Sequence, residues 1–533
     1  MRDLSPRRRI VSAATTVIAA VVAAAMMIPS SAATANDRPP AAAVHVNPYS
    51  TTLKAAQGLT GQARTDAQLL GSIPSAEWFT GGTPDEVRTR AAAYVDAATA
   101  AGETPVLVAY NLPFRDCEQY SAGGAANSAA YAAWIAGLAA GIGSRPAIVI
   151  LEPDGIGVIP YYTTIGGVLE WCRPVALDPQ TAAAERFAQL GNAVDTLGGL
   201  AATSVYLDGT HSDWLSVADV TDRLLKAGVQ RATGFFLNVS NFQFTSNLEA
   251  FGRWISSCPT YVTKVKPGGY GECGDQKWNG GPATGWTGVA MTNTGQWSAG
   301  ATNLALNTSG VDSRYTSILA GAQPTTPFVI DTGRNGKGPW QPPAGTYRDP
   351  EVWCNPPGRS VGVRPTMQTG KPLVDGYLWI KVRGESDGEC FRGTGGPVDP
   401  SRGTAGPAAG AWFPAQAREL VSLAQPALAP LTCTVTVDVA RSGSGFSASM
   451  VVRNDSKQTL RAWTLQWHAD PAQQVRRVIP GAFVQQGTRV TVTPPGSLAS
   501  LAAGKTAKFT VTGVGPATEP RLTRVKGAAC YTL

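Results

Sequence analysis

The chain has 533 residues, too many for one ordinary domain, so two or more domains are expected. Lys and Arg outnumber Asp and Glu by 44 to 37, but residues 36–430 carry 28 basic and 32 acidic side chains, whereas residues 431–533 carry 12 and 4. Such a basic segment favours acidic polymers or surfaces, or is merely a soluble cationic domain. No basic run with interleaved aromatic rings indicates nucleic-acid binding. With three histidines and no Cys-x-x-Cys pair, a zinc site is not expected.

The first 35 residues have the pattern of a secretory signal peptide. Three arginines at positions 7–9 precede an apolar stretch from Val11 to Met27, and Ala33-Thr34-Ala35 forms a small-residue cleavage site. The apolar stretch of about 17 residues is marginal for a membrane span, so a retained anchor is the alternative. The arginines also match, weakly, the twin-arginine export route. We expect a secreted, extracellular protein whose eight cysteines form disulfides.

Between residues 44 and 430, apolar strand candidates alternate with alanine-rich helix candidates. Repeated βα units predict a parallel sheet, either closed as a barrel or wound as an open sheet. The helix candidates lie near residues 127–140, 180–197, 216–228 and 245–256, and the strand candidates are Val106–Tyr110, Ala147–Leu151, Val205–Leu207, Gly234–Leu237, Phe328–Ile330 and Tyr377–Ile380.

Each strand candidate is followed by a polar side chain. In a βα barrel the carboxyl ends of the strands lie together on one face, where the active site sits. Six polar strand ends in register are hard to explain as loop caps alone, so they predict a shared site. The residues concerned are Asn111, Glu152 and Asp154, Asp208, Asn238, Asp331 and Lys381.

The residues at these strand ends are typical of a carbohydrate-active site. Carboxylates hydrogen-bond sugar hydroxyls, and tryptophans in the long loops 258–300 and 333–372 offer stacking surfaces; a third long loop is 384–411. Hydrolysis of a glycosidic bond needs a protonated carboxylic acid and usually a second carboxylate. Asp154 has neighbouring acids that would raise its pKa and keep it protonated. We therefore predict that Asp154 is the catalytic acid and Glu152 a supporting residue beneath it.

Residues 105–391 resemble the catalytic domain of family 6 glycoside hydrolases, the inverting cellulases. The resemblance implies a distorted parallel βα barrel of about seven strands, and a β-1,4-glucanase acting on cellulose or related β-glucans without a metal or organic cofactor. Seven segments match in the family's order: Tyr110–Cys117, Leu151–Asp154, Tyr206–His211, Asn238–Asn241, Asp331–Asn335, Trp353–Asn355, and Lys381 with Gly384–Gly388.

The resemblance implies catalytic roles for individual residues. Asp154 would be the general acid that protonates the leaving oxygen. Asp116 would raise the pKa of Asp154 and help to organise water, and Ser121 would help to hold the attacking water. Asp387 is the candidate base, acting directly or through a chain of waters.

Further residues would bind the substrate. By the same resemblance, Asp208 would support the sugar and its developing charge, and Tyr110 would press on the distorted ring at the cleavage subsite. The stacking platforms would be Trp78, Trp214 and Trp353, and the hydrogen-bonding groups His211, Asn238, Lys381 and Glu385. The implied disulfides are Cys117–Cys172, Cys354–Cys390, Cys258–Cys273 in the inserted loop, and Cys433–Cys530.

From residue 431 the pattern changes to short alternating strands, which predicts a β-sandwich of about 100 residues. This segment resembles a family 2 carbohydrate-binding module in its terminal cysteines, Gly445-Phe446 and Ala462–Leu465. That family binds cellulose through exposed tryptophans on three strands or loops. The only tryptophans here, Trp463 and Trp467, match core positions, so a degenerate module is predicted. The strand candidates are Thr434–Val439, Ser447–Val452, Thr464–Trp467, Arg489–Thr493 and Lys508–Thr512.

The expected organisation is a signal peptide at 1–35, a catalytic domain at 36–425, a short linker at 426–432 and a β-sandwich at 433–533. We expect endo action because the segment after Cys117 is short; the longer loops 258–300 and 384–411 favour the alternative, a cellobiohydrolase. A non-catalytic glucan-binding wall protein and a retaining glycosidase are the other interpretations. The expected partner is a polysaccharide, with no nucleic acid, no membrane after signal cleavage, and a monomeric chain.

Overall fold

Seven parallel strands form the central sheet of the larger domain. In this computed structural model, which describes residues 43–533, the strand order is β1 to β7, each strand pairing with the next in the chain. Ala109 pairs with Leu151 and Leu151 with Leu207, so the carboxyl ends of β2, β3 and β4 are level. The strands are β1 Glu77–Phe79, β2 Val106–Ala109, β3 Ala147–Leu151, β4 Thr203–Asp208, β5 Gly234–Leu237, β6 Phe328–Asp331 and β7 Val374–Leu378.

The sheet is an open barrel rather than a closed one. Within residues 43–533, no ladder joins β1 to β7. Two hydrogen bonds instead cross the opening: the Ala76 N–H donates to the Trp379 carbonyl at 3.0 Å, and Trp78 Nε1 donates to the Ile380 carbonyl at 2.8 Å. The prediction of a distorted parallel βα barrel of about seven strands is confirmed.

Both faces of the sheet are buried, which explains the continuous apolar runs in its strands. Along β3, Ile148 and Ile150 face the barrel interior, while Val149 and Leu151 pack against the surrounding helices. The nine helices of the described chain are α1 Thr51–Gln57, α2 Gly61–Gly71, α3 Pro84–Ala101, α4 Ser128–Ile142, α5 Ala182–Gly198, α6 Val217–Lys226, α7 Thr245–Thr260, α8 Ser309–Leu319 and α9 Pro414–Ser422.

Four helices, α4 to α7, were predicted from the sequence, and they are confirmed within a few residues. The prediction missed β1, which has only three residues, and helices α1, α2, α3, α8 and α9. The start of α3 had a readable signal, because Thr83 and Glu86 form a capping box in front of it.

The last strand, β7, was predicted too far along the chain. It begins at Val374 and ends at Leu378, instead of spanning Tyr377–Ile380. The backbone N–H groups of Ile380 and Lys381 leave the ladder and donate to the Asp331 carboxylate at 3.2 and 2.9 Å. The Asp331 side chain, which belongs to β6, thus takes the place of a neighbouring strand as the partner of these two N–H groups. No pattern in the local sequence reveals this interaction.

Residues 433–533 form the predicted β-sandwich. Two five-stranded sheets, β13-β14-β11-β17-β18 and β12-β16-β9-β8-β19, enclose one apolar core, and no α-helix occurs in this segment. The strands are β8 Cys433–Ser442, β9 Gly445–Asn454, β10 Leu460–Arg461, β11 Leu465–His468, β12 Gln474–Ile479, β13 Ala482–Gln486, β14 Arg489–Thr493, β15 Ser500–Leu501, β16 Thr506–Val514, β17 Arg521–Val525, β18 Ala528–Ala529 and β19 Tyr531–Thr532.

Most aromatic side chains of the sandwich pack in its apolar core. Trp463 and Trp467 are 2% and 4% exposed and pack in that core, as the sequence predicted. Every Trp, Tyr and Phe side chain of residues 433–533 is buried or half-buried.

All eight cysteines are paired in the structure. The disulfides are Cys117–Cys172, Cys258–Cys273, Cys354–Cys390 and Cys433–Cys530, the pairs that the resemblance implied. In the part of the chain that is described, no helix is long and apolar enough to cross a membrane. The predicted signal peptide lies outside the described residues.

Candidate active site

A cavity of about 730 Å³ opens at the carboxyl ends of the parallel strands. Most of the residues predicted for the site line it, although they come from six separate stretches of the chain. They are Trp78, Tyr110, Asp116, Ser121, Asp154, His211, Trp214, Trp353, Lys381 and Asp387.

Three predicted site residues do not line the cavity. Asp208 is 3% exposed and lies beneath the floor, near Asp154. The Asn238 amide is bound within the protein, donating to the Asp331 carbonyl at 2.9 Å and accepting the Gln243 N–H at 3.0 Å. Glu385 is absent from the cavity lining, and its carboxylate accepts a hydrogen bond from the Thr51 hydroxyl. These roles therefore stay predictions, and for Asn238 and Glu385 the positions favour holding the site rather than touching sugar.

The two acids after β3 occupy different surroundings. Glu152 and Asp154 both have left-handed backbone conformations, with φ of 54° and 64°, which turn the chain sharply around Pro153. The Glu152 carboxylate is 1% exposed and accepts the backbone N–H groups of Asn111 at 2.9 Å and Leu112 at 3.2 Å. Asp154 is half-buried and faces the cavity. The turn therefore separates a residue that supports the β2 end from one that meets solvent.

The surroundings of Asp154 favour its protonated form. Burial raises the pKa of Asp154, and the negative charges of Asp208 and Asp116 raise it further, because a second and third anion in this space are unfavourable. Burial also raises the pKa of Asp208, but backbone N–H groups such as that of Thr210, 2.8 Å from Oδ1, partly offset this. Asp208 has these N–H donors and Asp154 has none among the causes of its pKa shift, so the negative charge is favoured on Asp208 and the proton on Asp154.

Asp116 is carried by a tight loop after β2. Its Oδ2 accepts the Ser121 N–H at 2.9 Å, and the Arg115 guanidinium donates to the carbonyls of Ser121 and Tyr110 at 2.8 and 2.7 Å. Gly124 closes the loop with φ of 102°, and a Cβ there would lie 1.8 Å from the Leu112 carbonyl oxygen. Burial raises the pKa of Asp116, although the Ser121 hydrogen bond and the Arg115 charge oppose the rise.

Asp387 is held as an anion. Burial alone would raise its pKa, but the positive charges of Arg334 and Lys381 outweigh burial, and the pKa is lowered. Arg334 donates to both carboxylate oxygens at 3.0 and 2.8 Å, Lys381 Nζ lies 3.6 Å from Oδ1, and the Asn355 N–H donates to Oδ2 at 3.0 Å. Lys381 thus pairs with Asp387, and no ion pair joins it to Glu385 within the described residues.

Two pairs of aromatic rings line the cavity. The Trp78 ring meets Tyr110 edge-on at 5.3 Å, and its indole N–H is bound to the Ile380 carbonyl. The centres of the His211 and Trp214 rings lie 5.7 Å apart. The His211 Nδ1 accepts the Asp213 N–H at 3.2 Å, and burial lowers the imidazole pKa to about 4, so the ring is neutral and carries its proton on Nε2.

Several lining residues were not predicted. Gln119 and Trp171 flank the Cys117–Cys172 disulfide, and the long loops 258–300 and 333–372 add further walls. The sequence signals for these two walls were the lengths of the loops and the tryptophans in them. The unpredicted lining residues are Gln119, Pro153, Val158, Trp171, Asp213, 240–243, 291–294, 339–341 and Val352.

The arrangement suits acid–base cleavage of a glycosidic bond. It places a carboxyl group with a raised pKa, Asp154, and one with a lowered pKa, Asp387, in a single cavity whose aromatic surfaces match the apolar faces of sugar rings. Among residues 43–533, no group of three or more His, Cys, Asp or Glu side chains is placed to hold a metal.

Known proteins match both domains. Residues 40–424 match the family model described as glycosyl hydrolases family 6, and residues 432–530 match the model described as a cellulose binding domain. "Endoglucanase A" of Thermobispora bispora is 28% identical over 88% of this chain and 89% of its own length. "Endoglucanase 1" of Streptomyces sp. (strain KSM-9) is 32% identical over 66% and 70%. A "probable 1,4-beta-D-glucan cellobiohydrolase C" of Aspergillus terreus is 26% identical over 72% and 75%.

The fold and site define a glycoside hydrolase. The chain belongs to the glycosyl hydrolases of family 6, because that model covers well over half of its residues. Both family resemblances drawn from the sequence are thereby confirmed, and so is the prediction of an enzyme.

Proposed function

We propose that the chain is a secreted, inverting β-1,4-glucanase that cleaves cellulose or related β-glucans within the chain. The observation that carries the proposal is one cavity holding Asp154, whose pKa is raised, and Asp387, whose pKa is lowered. An inverting glycosidase needs this pair, an acid for the leaving oxygen and a base for the attacking water. The matching endoglucanases support the substrate class.

In the proposed reaction, Asp154 donates its proton to the glycosidic oxygen as the bond from that oxygen to the anomeric carbon breaks. Water attacks the anomeric carbon from the opposite face, and its proton passes to Asp387, directly or through further water. Asp116 and Ser121, joined by the Ser121 N–H, would hold the attacking water. Asp208 beneath the floor stabilises the positive charge that develops on the sugar.

Substrate binding is assigned to the cavity walls. Trp78, Trp214 and Trp353 would stack on glucose rings, and the neutral His211 would donate from Nε2 to a hydroxyl group. Tyr110 would press on the ring at the point of cleavage. Lys381 lines the cavity, and it would both bind a hydroxyl group and keep Asp387 ionised.

Asp154→Asn tests the catalytic assignment. The amide has nearly the same shape but cannot donate a proton in this way, so kcat should fall by a factor of about 10²–10⁴. Glu152→Gln, two residues away, is the matched comparison, because its side chain does not face the cavity. Unchanged activity of Asp154→Asn on carboxymethylcellulose would remove Asp154 from the reaction. Proton NMR of the first product should show inversion; a retained configuration would favour a retaining glycosidase instead.

A cellobiohydrolase is the competing proposal, because loop residues 291–294 and 339–341 add walls to the cavity. The two modes differ in how fast a polymer shortens. Endo action should lower the viscosity of carboxymethylcellulose early, before much soluble sugar appears. Slow viscosity loss with mainly cellobiose released would favour exo action. Secretion is tested by finding the protein in culture medium with residues 1–35 removed.

A further inference from the structure

The β-sandwich is fastened to the first helices of the catalytic domain through a buried polar contact. The Gln68 side chain on α2 donates from Nε2 to the Thr532 carbonyl at 2.5 Å and accepts the Thr532 N–H at 3.0 Å. Gln68 and Thr532 are 8% and 6% exposed. A side chain that satisfies both backbone groups of an edge-strand residue takes the place of a neighbouring strand, so this contact fixes the orientation of β19.

Charged and apolar contacts surround this hydrogen-bonded pair. Arg64 donates to the same Thr532 carbonyl at 2.8 Å and forms an ion pair with Glu519 at 2.8 Å. The Tyr49 hydroxyl donates to the Ala469 carbonyl at 2.6 Å, and the Arg521 guanidinium lies over the Tyr49 ring at 5.3 Å. An apolar cluster completes the contact: Val46, Leu53 and Leu522, with Ala529 against them.

The contact also supplies stability that α1 and α2 lack by themselves. They have seven and eleven residues. Isolated helices shorter than about 12–15 residues are marginal in water, so most of their stability must come from packing. On one side, α1 and α2 pack against the β-sandwich, and on the other they contact Glu385 and Arg383.

Both helices contact the segment 381–387, which carries Lys381 and Asp387. The Thr51 hydroxyl at the start of α1 hydrogen-bonds the Glu385 carboxylate. At the end of α2, the Leu70 and Ile73 carbonyls accept hydrogen bonds from the Arg383 guanidinium at 3.0 and 3.4 Å. Arg383 is 1% exposed, so these hydrogen bonds form in a largely water-free environment.

We infer that the β-sandwich acts as a fixed buttress: it holds α1 and α2, and through Thr51 and Arg383 it positions segment 381–387 at the cavity. The role differs from carriage to cellulose, for which the sandwich lacks exposed aromatic rings. The inference rests on the proposed function only in that Lys381 and Asp387 serve the reaction. Thr51, Arg64 and Gln68 are positioning residues, since none of them lines the cavity.

The double variant Arg64→Ala/Gln68→Ala in the full chain tests the buttress. Ile479→Ala is the control, because Ile479 is exposed on the sandwich and takes no part in the interface. With soluble cello-oligosaccharides, the double variant should raise KM about three- to tenfold. The acid limb of its pH profile should move to higher pH, because a displaced Lys381 no longer lowers the pKa of Asp387. The control should match the wild type in KM and in the position of the acid limb. Identical kinetics of the wild type, the control and the double variant would overturn the inference.

Thr51→Val and Thr51→Ser form a second test that leaves the interface intact. Valine removes the hydroxyl group that binds Glu385, whereas serine keeps it, so only Thr51→Val should raise KM and shift the acid limb. Equal behaviour of the two variants would overturn the link to the site, even if the double variant fails to fold.

Thermal unfolding separates this inference from the proposed function. The wild-type chain should unfold in one calorimetric transition, and Arg64→Ala/Gln68→Ala should split it into two or lower its midpoint. Separate unfolding of the sandwich in the wild type would overturn the buttress. A wild type that folds in one transition but cleaves no β-glucan would overturn the proposed function alone.

Discussion

The Glu152 carboxylate accepts the Asn111 backbone N–H at 2.9 Å, although Glu152 is only two residues from the proposed acid, Asp154. The end of β3 is thereby tied to the end of β2, whose following loop carries Tyr110 and Asp116. Burial raises the pKa of Glu152 to about 7, against the hydrogen bonds that lower it. The acid that looks redundant in the sequence is thus a buried, titrating support.

Glu152 should make the protein less stable as the pH rises. Its folded-state pKa of about 7 exceeds the ordinary value of 4.5, so between these values the folded state binds more protons than the unfolded state. The contribution of Glu152 to stability is therefore fully present below pH 4.5, and about 1–3 kcal/mol of it is lost as the pH rises from 4.5 through 7. In Glu152→Gln this fall in stability should vanish. Denaturant unfolding at several pH values measures it. Glu86→Gln is the control, because the pKa of Glu86 is lowered rather than raised. In this variant the fall in stability that Glu152 causes as the pH rises should remain. An unaltered fall in Glu152→Gln would contradict the assignment.

Asp208→Asn should shift the alkaline limb of the pH profile. The negative charge of Asp208 raises the pKa of Asp154, so its removal lets Asp154 lose its proton at lower pH. We expect the alkaline limb of kcat/KM to move down by about one pH unit, together with a loss of kcat. The comparison is Asp213→Asn, because Asp213 lines the cavity but is not among the charges that shift Asp154. A limb that stays in place in Asp208→Asn would show that another group controls it.

Arg334→Met should affect both stability and the acid limb. It removes the two hydrogen bonds to Asp387 and leaves a buried carboxylate without its main partner, which costs about 3–5 kcal/mol. The pKa of Asp387 should rise, so the base becomes protonated at higher pH and the acid limb moves upward. In the control, Arg402→Met, the lost partner is Glu419, outside the cavity. The stability of Arg402→Met should fall without a shift of the acid limb of its pH profile. Equal shifts of the acid limb in Arg334→Met and Arg402→Met would contradict the role of Asp387.

Binding to crystalline cellulose should depend on the cavity and not on the sandwich. Every aromatic ring of residues 433–533 is buried or half-buried, whereas stacking on sugar faces needs a flat, exposed aromatic surface. With inactive Asp154→Asn protein, adsorption to cellulose should be displaced by soluble cello-oligosaccharides that fill the cavity. Ile479→Trp places an aromatic ring on the exposed surface of the sandwich and should add adsorption that the oligosaccharides do not displace. Strong, undisplaced adsorption of the parent protein would contradict the prediction.

The sequence predicted the central strands well because they are buried on both faces. A run such as Ala147–Leu151 has no helical period and is bounded by polar residues, so its limits are local properties. β1 and α1 escaped prediction because they are short and depend on contacts with distant residues. The end of β7 was misplaced for the same reason, since the Asp331 carboxylate binds backbone groups that belong to a different stretch.

The sequence by itself determined which residues stand at the strand ends, and so determined the cluster of carboxylates around Asp154. Strand order and register then bring those ends together, because parallel neighbours align their carboxyl ends. Tertiary structure alone decided how the charges are shared. In the folded chain, backbone N–H groups donate to Asp208, and Arg334 and Lys381 lie beside Asp387. Glu152 is buried against the backbone that follows β2. Tertiary structure also decided that the β-sandwich is fastened through Gln68 and Thr532, because a side chain that completes a distant strand has no signature in its own segment.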